Sequence, residues 1–215
     1  MHSPDAVLFD FDGTIADSRR PYTSSLNYAF GELGLPTHPP DQLYQYMGPP
    51  MHATLADHLG VPAELIDPVV ALYRERYAEI GPDETVAYAG IPELLARLHG
   101  EVPLAVATSK VITLAEPLLE HMGLRELFDV VAAPGVDTIS ETKSETIGAA
   151  LRGLGQPPAG VVMVGDRLYD VLGAAEHQIP TIGVLWGEGS EAELRDAGAR
   201  WIVSRPDEIP GLLGL

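Results

Sequence analysis

The chain contains no cysteine and little positive charge. Without cysteine it has no disulfide framework, no thiolate metal site and no thiol nucleophile. Its 13 lysines and arginines oppose 31 aspartates and glutamates, for a formal net charge of −18, and no basic run is present. This balance argues against a nucleic-acid-binding surface, because proteins hold polyanions mainly with lysine and arginine. A site for an anionic substrate therefore has to be built locally.

The chain also lacks any apolar run long enough to cross a bilayer, so no membrane partner is expected. The N-terminus enters the first predicted strand within a few residues, which leaves no room for a signal peptide. We therefore expect a cytoplasmic protein. Its 215 residues suffice for one domain with a smaller insertion. Both a monomer and a homodimer are compatible with this sequence.

The first segment with candidate functional residues is V-L-F-D-F-D-G-T, from Val7 to Thr14. Its apolar beginning predicts a buried strand of a parallel sheet. Period-two alternation then places Asp10 and Asp12 on the same side of the chain, at the strand end where open α/β sheets bind their ligands. Two crowded carboxylates repel each other unless a cation lies between them, and oxygen ligands favour magnesium. The alternative is a turn with two solvated aspartates.

A helical segment follows this first strand. Between Ala16 and Asp83 apolar residues recur at helical spacing, and no strand is evident. From Ala89 onward, predicted helices and strands alternate with short connections. This alternation predicts an α/β fold with a doubly wound, Rossmann-like parallel sheet as its core and a small inserted α-helical cap domain. The predicted boundaries are 1–16 and 86–215 for the core and 17–85 for the cap.

The chain has only two lysines, and both follow predicted strands. Thr108, Ser109 and Lys110 come directly after the second strand of the core. Hydroxyl groups, backbone N–H groups and an ammonium can together hold a phosphate. The same triplet could instead begin a helix as an N-cap. These residues alone leave both interpretations open.

Lys143, the other lysine, lies after the third strand and near the start of a predicted helix. A cation is unfavourable at that end of the helix dipole, so another interaction is expected to keep it there. Surface pairing with Glu141 or Glu145 is one interpretation. The other is a clamp on a phosphate group, which the position after a strand favours.

The fourth strand runs into G-D-R-L-Y-D, which contains Asp166 and Asp170. These two carboxylates share one face of the first helical turn, and either could act as a helix cap. Asp166, however, also lies at a strand end, as Asp10 and Asp12 do. Carboxylates and lysines after four successive strands form a consistent site for magnesium and phosphate.

The order D-F-D-G-T, T-S-K, a lone lysine and G-D-x-x-x-D resembles the haloacid dehalogenase-like superfamily of phosphohydrolases. The helical insertion between the first two motifs is similar to the small helical cap of that superfamily. Further features resemble its phosphoglycolate phosphatase and bacterial 5′-nucleotidase branch. These are G-P-P at Gly48 to Pro50, Y-R-x-x-Y at 73–77, G-D-R-x-x-D-V-x-G-A from Gly165 and I-G-V-L-W-G from Ile182.

The resemblance implies a magnesium-dependent phosphatase that works through an aspartyl-phosphate. Asp10 is then the nucleophile, and Asp12 is the general acid and later the general base. The residues implied to hold Mg²⁺ are Asp10, Asp12 (through its backbone carbonyl), Asp166 and Asp170. The residues implied to bind the phosphoryl oxygens are Thr108, Ser109, Lys110 and Lys143. The residues expected to select the substrate lie in the cap, at Gly48, Pro49, Pro50, Tyr22 and Arg74.

One feature of the superfamily is missing. An arginine usually stands a few residues before the lysine of the third motif, and Ser140 occupies that region here. The charge balance around the substrate is therefore expected to differ from that of the superfamily.

Phosphoglycolate phosphatase is the activity that we predict, with a small phosphorylated metabolite as partner; 5′-nucleotidase and pyrophosphatase are the alternatives. The presence of Asp12 argues against a dehalogenase, which needs no acid there. A predicted cap without lysine argues against a phosphonatase that forms a Schiff base. Tyr22 stands where a phosphosugar mutase usually has histidine. A non-catalytic protein that binds a partner through its cap is the remaining class, and the intact motifs argue against it.

Overall fold

The computed structural model describes residues 3–137 and 142–215. Within these ranges the strands are β1 (Ala6–Phe9), β2 (Ala16–Asp17), β3 (Val86–Ala87), β4 (Leu104–Ala107), β5 (Val130–Ala132), β6 (Val161–Gly165), β7 (Thr181–Val184) and β8 (Trp201–Val203). The α-helices there are α1 (Arg19–Glu32), α2 (Pro40–Tyr44), α3 (Met51–Ala53), α4 (Ala63–Glu84), α5 (Ile91–Leu98), α6 (Ile112–His121), α7 (Lys143–Leu154), α8 (Leu168–Glu176), α9 (Glu191–Ala197) and α10 (Ile209–Leu213). None of the described helices is both long and apolar enough to span a membrane.

The described residues form a six-stranded parallel sheet in the order β5-β4-β1-β6-β7-β8. The central strand β1 is buried on both faces, because Val7 and Phe9 pack in the core on one side while Ala6 and Leu8 pack on the other. Helices α5, α6 and α10 contribute apolar side chains to the first core, and α7 and α8 to the second. The predicted doubly wound α/β fold is confirmed.

The segment between β2 and β3 is helical, and its helices α1 and α4 pack against each other. β2 and β3 pair antiparallel, with Ala16 opposite Ala87 and Asp17 opposite Val86. The prediction that no strand occurs between Ala16 and Asp83 is therefore wrong for β2. A strand of two residues carries no readable periodicity, and β2 forms only because β3 returns beside it. This two-stranded ribbon lies where the predicted cap boundaries fall.

The parallel arrangement brings several chain segments to one edge of the sheet. Asp10 follows β1, Thr108 follows β4 and Asp166 follows β6, and these three strands are neighbours. Parallel strands end on the same side, so the polar residues after them converge there. The helical segment packs over this edge, because the core of one sheet face continues into it through Tyr22 and Tyr73.

Candidate active site

The turn after β1 is tightly closed. The N–H group of Asp10 donates to the backbone of β6 over 2.9 Å, and the N–H groups of residues 14–16 all donate to the carbonyl of Phe11. Gly13 has φ +83°, and a Cβ at this position would lie 2.3 Å from Asp166 Oδ2. Only glycine combines this backbone conformation with so close an approach. The glycine of D-x-D-G-T thus lets the first motif contact the fourth.

Three buried carboxylates meet at this edge of the sheet. One oxygen each from Asp10, Asp166 and Asp170 lies within 4.8 Å of the others, and these residues are 4%, 1% and 0% exposed. Lys143 Nζ lies 2.5 Å from Asp10 Oδ1 and 2.8 Å from Asp170 Oδ1, and it donates to the carbonyl of Ala107 over 3.0 Å. Three carboxylates against this one ammonium leave an excess of negative charge. A divalent cation would offset it.

The pKa values of these groups reflect the same excess. Burial raises the pKa of Asp10 to about 7, an effect that Lys143 opposes and Asp170 reinforces. Burial, followed by the charges of Asp170 and Asp10, also raises the pKa of Asp166 well above its ordinary value. Burial by itself would lower the pKa of Lys143, but the Asp10 and Asp170 carboxylates outweigh it and hold that pKa above its usual range. A bound cation would favour the ionised carboxylates and reverse the upward shifts.

The oxygens of the fourth motif are held in place by hydrogen bonds. Asp166 Oδ1 accepts from Thr14 Oγ1 over 3.2 Å, and its Oδ2 accepts from the N–H of Glu188 over 2.8 Å. Asp170 Oδ2 accepts from the N–H of Arg167 over 3.0 Å, so the predicted capping role of Asp170 is present as well. Such outer bonds orient carboxylates around a metal. An all-oxygen donor set with this charge fits a hard cation such as Mg²⁺.

We expect the metal-free protein to lose stability as the pH rises from about 4 to about 7, and Mg²⁺ to restore it at the upper end of this range. Folding raises the pKa of Asp10 from 3.8 to about 7. The stability that its proton supplies is therefore fully present below the ordinary value and is lost as the pH rises through about 7. Thermal unfolding in EDTA and in Mg²⁺ measures this. An equal Mg²⁺-induced rise in Tm at both ends of the range would contradict the expectation.

Lys143 enters the site because a capping box starts α7 directly before it. Thr142 Oγ1 accepts from the N–H of Glu145 over 3.2 Å, and Glu145 Oε2 accepts from the N–H of Thr142 over 2.7 Å. Glu145 thus caps the helix, and Lys143 is buried against the two carboxylates. The surface-pairing interpretation is wrong for Glu145. Glu141, the other partner considered, lies outside the described residues, as does Ser140, which stands where the superfamily usually has an arginine.

Thr108, Ser109 and Lys110 form the turn after β4. Thr108 is buried, and its Oγ1 accepts from the N–H of Lys110 over 3.1 Å. Helix α6 has Val111 as its N-cap residue, with no side-chain cap bond. The N-cap interpretation of this triplet is therefore wrong. Thr108 and Ser109 line the same cavity as Asp10.

The structure places Lys110 beside Asp12. Lys110 Nζ lies 3.1 Å from Asp12 Oδ2 and 4.1 Å from the centroid of the Tyr77 ring. The other carboxylate oxygen, Asp12 Oδ1, is buried and has no hydrogen-bond partner among the described residues. An acceptor of this kind is costly to bury unless a ligand meets it. The geometry thus links Lys110 to the predicted acid and base, whereas the sequence predicted a phosphate contact.

A cavity of about 90 Å³ joins these residues to the helical segment. The five predicted cap residues all line it, together with Asp10, Asp12 and the turn after β4; they are Tyr22, Gly48, Pro49, Pro50 and Arg74. Two of these five also bond the backbone, since Tyr22 donates to the carbonyl of Tyr46 over 3.2 Å and Arg74 to that of Val136 over 2.9 Å. A second opening shares Gly48–Pro50 and Ser109 with this cavity and is also lined by Lys143.

The sequence argument assigned no role to the loop after β7. The indole Nε1 of Trp186 donates to the carbonyl of Thr14 over 3.0 Å, and Glu188 supplies the N–H that binds Asp166. A Cβ at Gly187 would lie 2.4 Å from Asp166 Oδ2. One sequence feature pointed to this loop. The glycine-rich segment W-G-E-G directly follows a predicted strand, which places it at the same sheet edge as the other motifs.

Comparison with known proteins agrees with this geometry. A model of the family described as haloacid dehalogenase-like hydrolase matches residues 7–184. Tyrosine-protein kinase PtkA of Mycobacterium tuberculosis is 40% identical over 99% of this chain and 74% of its own length. The 5′-nucleotidase of Pseudomonas aeruginosa is 35% identical over 88% of this chain and 86% of its own, and the phosphoglycolate phosphatase of Chromobacterium violaceum is 31% identical over 88% of each.

A solved structure extends the agreement to the whole fold. The crystal structure of a predicted phosphatase from Clostridium acetobutylicum superimposes with a TM-score of 0.93 at 33% identity, over 99% of this chain and 100% of that one. Together with the family match over residues 7–184, this covers both the sheet and the helical segment. The chain therefore belongs to the haloacid dehalogenase-like hydrolase family, and several of its relatives are named as phosphatases.

Proposed function

We propose that this chain is a magnesium-dependent phosphatase that hydrolyses a small cytoplasmic phosphomonoester through an aspartyl-phosphate on Asp10. One observation carries the proposal. Asp10 belongs to a buried cluster with Asp166, Asp170 and Lys143, and it also lines a small cavity together with Asp12. This arrangement puts a nucleophile, a second carboxylate and a site for positive charge around the place for one phosphate.

In the first half of the reaction, an oxygen of Asp10 forms a bond to phosphorus as the bond from phosphorus to the ester oxygen breaks. Asp12 gives its proton to the departing alkoxide and then takes a proton from the water that hydrolyses the aspartyl-phosphate. Lys143 holds Asp10 and offsets charge on the phosphoryl group. When bound by Asp10, Asp166, Asp170 and the backbone carbonyl of Asp12, Mg²⁺ supplies the charge that lets two anions meet.

Phosphoglycolate is the substrate that we propose. The cavity of about 90 Å³ is small, well below the roughly 300 Å³ at which pockets for drug-sized ligands begin. Arg74 lines the cavity and offers a guanidinium to a carboxylate. A relative named as a phosphoglycolate phosphatase spans most of the chain. The alternatives are a nucleoside monophosphate, which the Tyr22 and Tyr73 rings could contact, and pyrophosphate.

Phosphoryl transfer to tyrosine is a second candidate, favoured by the 40% identity to a protein named as a tyrosine-protein kinase. The aspartyl-phosphate would then pass its phosphoryl group to a tyrosine hydroxyl in place of water, with ATP as the donor. The small cavity under the helical segment favours water, because a tyrosine on a protein would have to reach past Gly48–Pro50 to the phosphate.

The test is release of inorganic phosphate from phosphoglycolate, nucleoside monophosphates, pyrophosphate and p-nitrophenyl phosphate, each in Mg²⁺ and in EDTA. We expect phosphoglycolate to have the highest kcat/KM, and EDTA to abolish turnover of every substrate. A parallel assay offers γ-labelled ATP with a tyrosine-containing polymer. Label on tyrosine without release from any ester would replace the phosphatase proposal with the second candidate. Undiminished turnover in EDTA would show that the reaction does not require Mg²⁺.

A further inference from the structure

The mechanism gives no role to the buried charged side chain of Arg167. Arg167 lies in the turn that carries the fourth-motif carboxylates, and its side chain is 9% exposed. Its Nε donates to Glu193 Oε1 over 2.9 Å. Its Nη1 donates to the carbonyl of Met47 and, over 3.3 Å, to that of Gln45. One guanidinium thus joins the α/β core to the helical segment.

The carbonyls that Arg167 binds come immediately before the loop that borders the active site. Gln45 is the C-cap residue of α2, and Gly48–Pro50 lines the cavity with Asp10. The contact with this loop is close, since a Cβ on Gly48 would lie 3.5 Å from Arg167 Cγ and 3.4 Å from the Tyr169 ring. Holding Met47 and Gln45 therefore holds the loop.

The core anchors the other end of the arginine. Glu193, on α9, also accepts from the N–H of Leu168 over 2.9 Å, so its carboxylate is fixed to the start of α8. The backbone N–H of Arg167 donates to Asp170. A guanidinium keeps its charge and presents several donors in one plane, which suits three acceptors from two directions. The helical segment contributes only backbone carbonyls to the contact, so its strength depends on Arg167.

We propose that Arg167 is a positioning residue that latches the Gly48–Pro50 loop over the active-site cavity by bridging Glu193 to the carbonyls of Gln45 and Met47. A latch shifts the equilibrium toward the closed arrangement and takes no part in bond making. Its kinetic consequence rests on the proposed phosphatase function. Its structural consequence, a loop that opens less often, does not.

Loss of the latch is expected to raise KM more than it lowers kcat. If the loop is mostly closed in the wild-type protein, a weaker latch lowers the population of closed protein and with it the apparent affinity for the substrate. Protein that has closed over the substrate still reacts at the normal rate, so kcat changes less. Hydrogen bonds from a charged donor are strong enough to predict a rise in KM of about tenfold or more. Damage to the metal-binding turn would instead lower kcat and raise the Mg²⁺ concentration for half-maximal activity.

The experiment compares Arg167→Gln and Arg167→Lys with Arg195→Gln. Arg195 is an exposed arginine that pairs with Glu191 on the same helix as Glu193, so it controls for loss of one arginine. Two readouts are taken: amide hydrogen exchange over residues 45–51, and KM and kcat for p-nitrophenyl phosphate at saturating Mg²⁺. We expect faster exchange and a raised KM in Arg167→Gln, intermediate values in Arg167→Lys, and wild-type values in Arg195→Gln.

Exchange that is equally slow in Arg167→Gln, Arg195→Gln and the wild-type protein would overturn the latch. So would an unchanged KM with a lower kcat and a higher Mg²⁺ requirement, since Arg167 would then act on the metal-binding turn. Should Arg167→Gln not fold, Arg167→Lys retains the charge and carries both readouts. If the wild-type protein hydrolyses no ester, the proposed function fails, while hydrogen exchange still tests the latch.

Discussion

Asp10→Asn is expected to lower kcat by at least about a thousandfold and to leave the protein folded, because it removes the oxygen nucleophile on which the reaction depends. Asparagine has nearly the volume of aspartate, and Lys143 keeps Asp170 as a partner 2.8 Å away. The substitution also removes one of three buried carboxylates, so the excess of negative charge around Lys143 falls. Steady-state phosphate release measures the loss of kcat, and circular dichroism tests whether the variant is folded.

A direct readout of the intermediate strengthens this test. Acid quenching during turnover should trap one phosphoryl group on the wild-type protein and none on Asp10→Asn, as read by mass spectrometry. Asp207→Asn is the matched control, since Asp207 is exposed and pairs only with the neighbouring Arg205 among the described ion pairs. Near-normal turnover in Asp10→Asn, or an undiminished trapped phosphoryl group, would mean that another residue is the nucleophile.

Lys143→Met is expected to lower both stability and activity. Its ammonium is the counter-charge to Asp10 and Asp170, and removing one partner of a buried ion pair typically costs about 3–5 kcal/mol. Loss of the charge that faces the phosphoryl group should lower kcat/KM by about a hundredfold or more. Urea unfolding in EDTA near pH 8 and assays in Mg²⁺ measure these effects.

The other lysine provides the comparison. Lys110→Met removes a pair with one carboxylate, Asp12, that is less buried than Asp10. Its loss of stability should therefore be smaller. Adding Asp10→Asn to Lys143→Met should recover part of the stability, because the double variant no longer buries an unpaired Asp10 carboxylate. Equal destabilisation by the two lysine variants, or no recovery in the double variant, would show that Lys143 does not stabilise the cluster by its charge.

The placement of Asp10 and Asp166 could be predicted because it follows from local rules. An apolar run ending in D-x-D predicts a strand end, and alternation of helices and strands predicts parallel neighbours. Parallel strands end at one edge, so residues far apart in the chain had to meet there. The direction taken by a long side chain obeys no such rule. Lys110 follows a strand as Lys143 follows another, yet the structure turns it toward Asp12 and the Tyr77 ring.

Sequence patterns likewise could not predict the contacts of Arg167. Its position in G-D-R-x-x-D is visible in the chain, but its partners are a glutamate on α9 and backbone carbonyls in the helical segment. A backbone carbonyl has no residue type to recognise, and every residue carries one. The pairing of β2 with β3 was not predicted for a related reason: a strand of two residues is too short to show hydrophobic periodicity.

The amino-acid sequence by itself determined the α/β class, the strand ends and the kinds of chemical groups placed there, because hydrophobic periodicity and turn residues act over a few neighbouring positions. The tertiary structure alone decided which oxygen each lysine meets, how deeply the carboxylates are buried, and which arginine joins the core to the segment above it. Those outcomes depend on distances between elements that pack from opposite ends of the chain, and burial then raises the pKa of Asp10 and of Asp166.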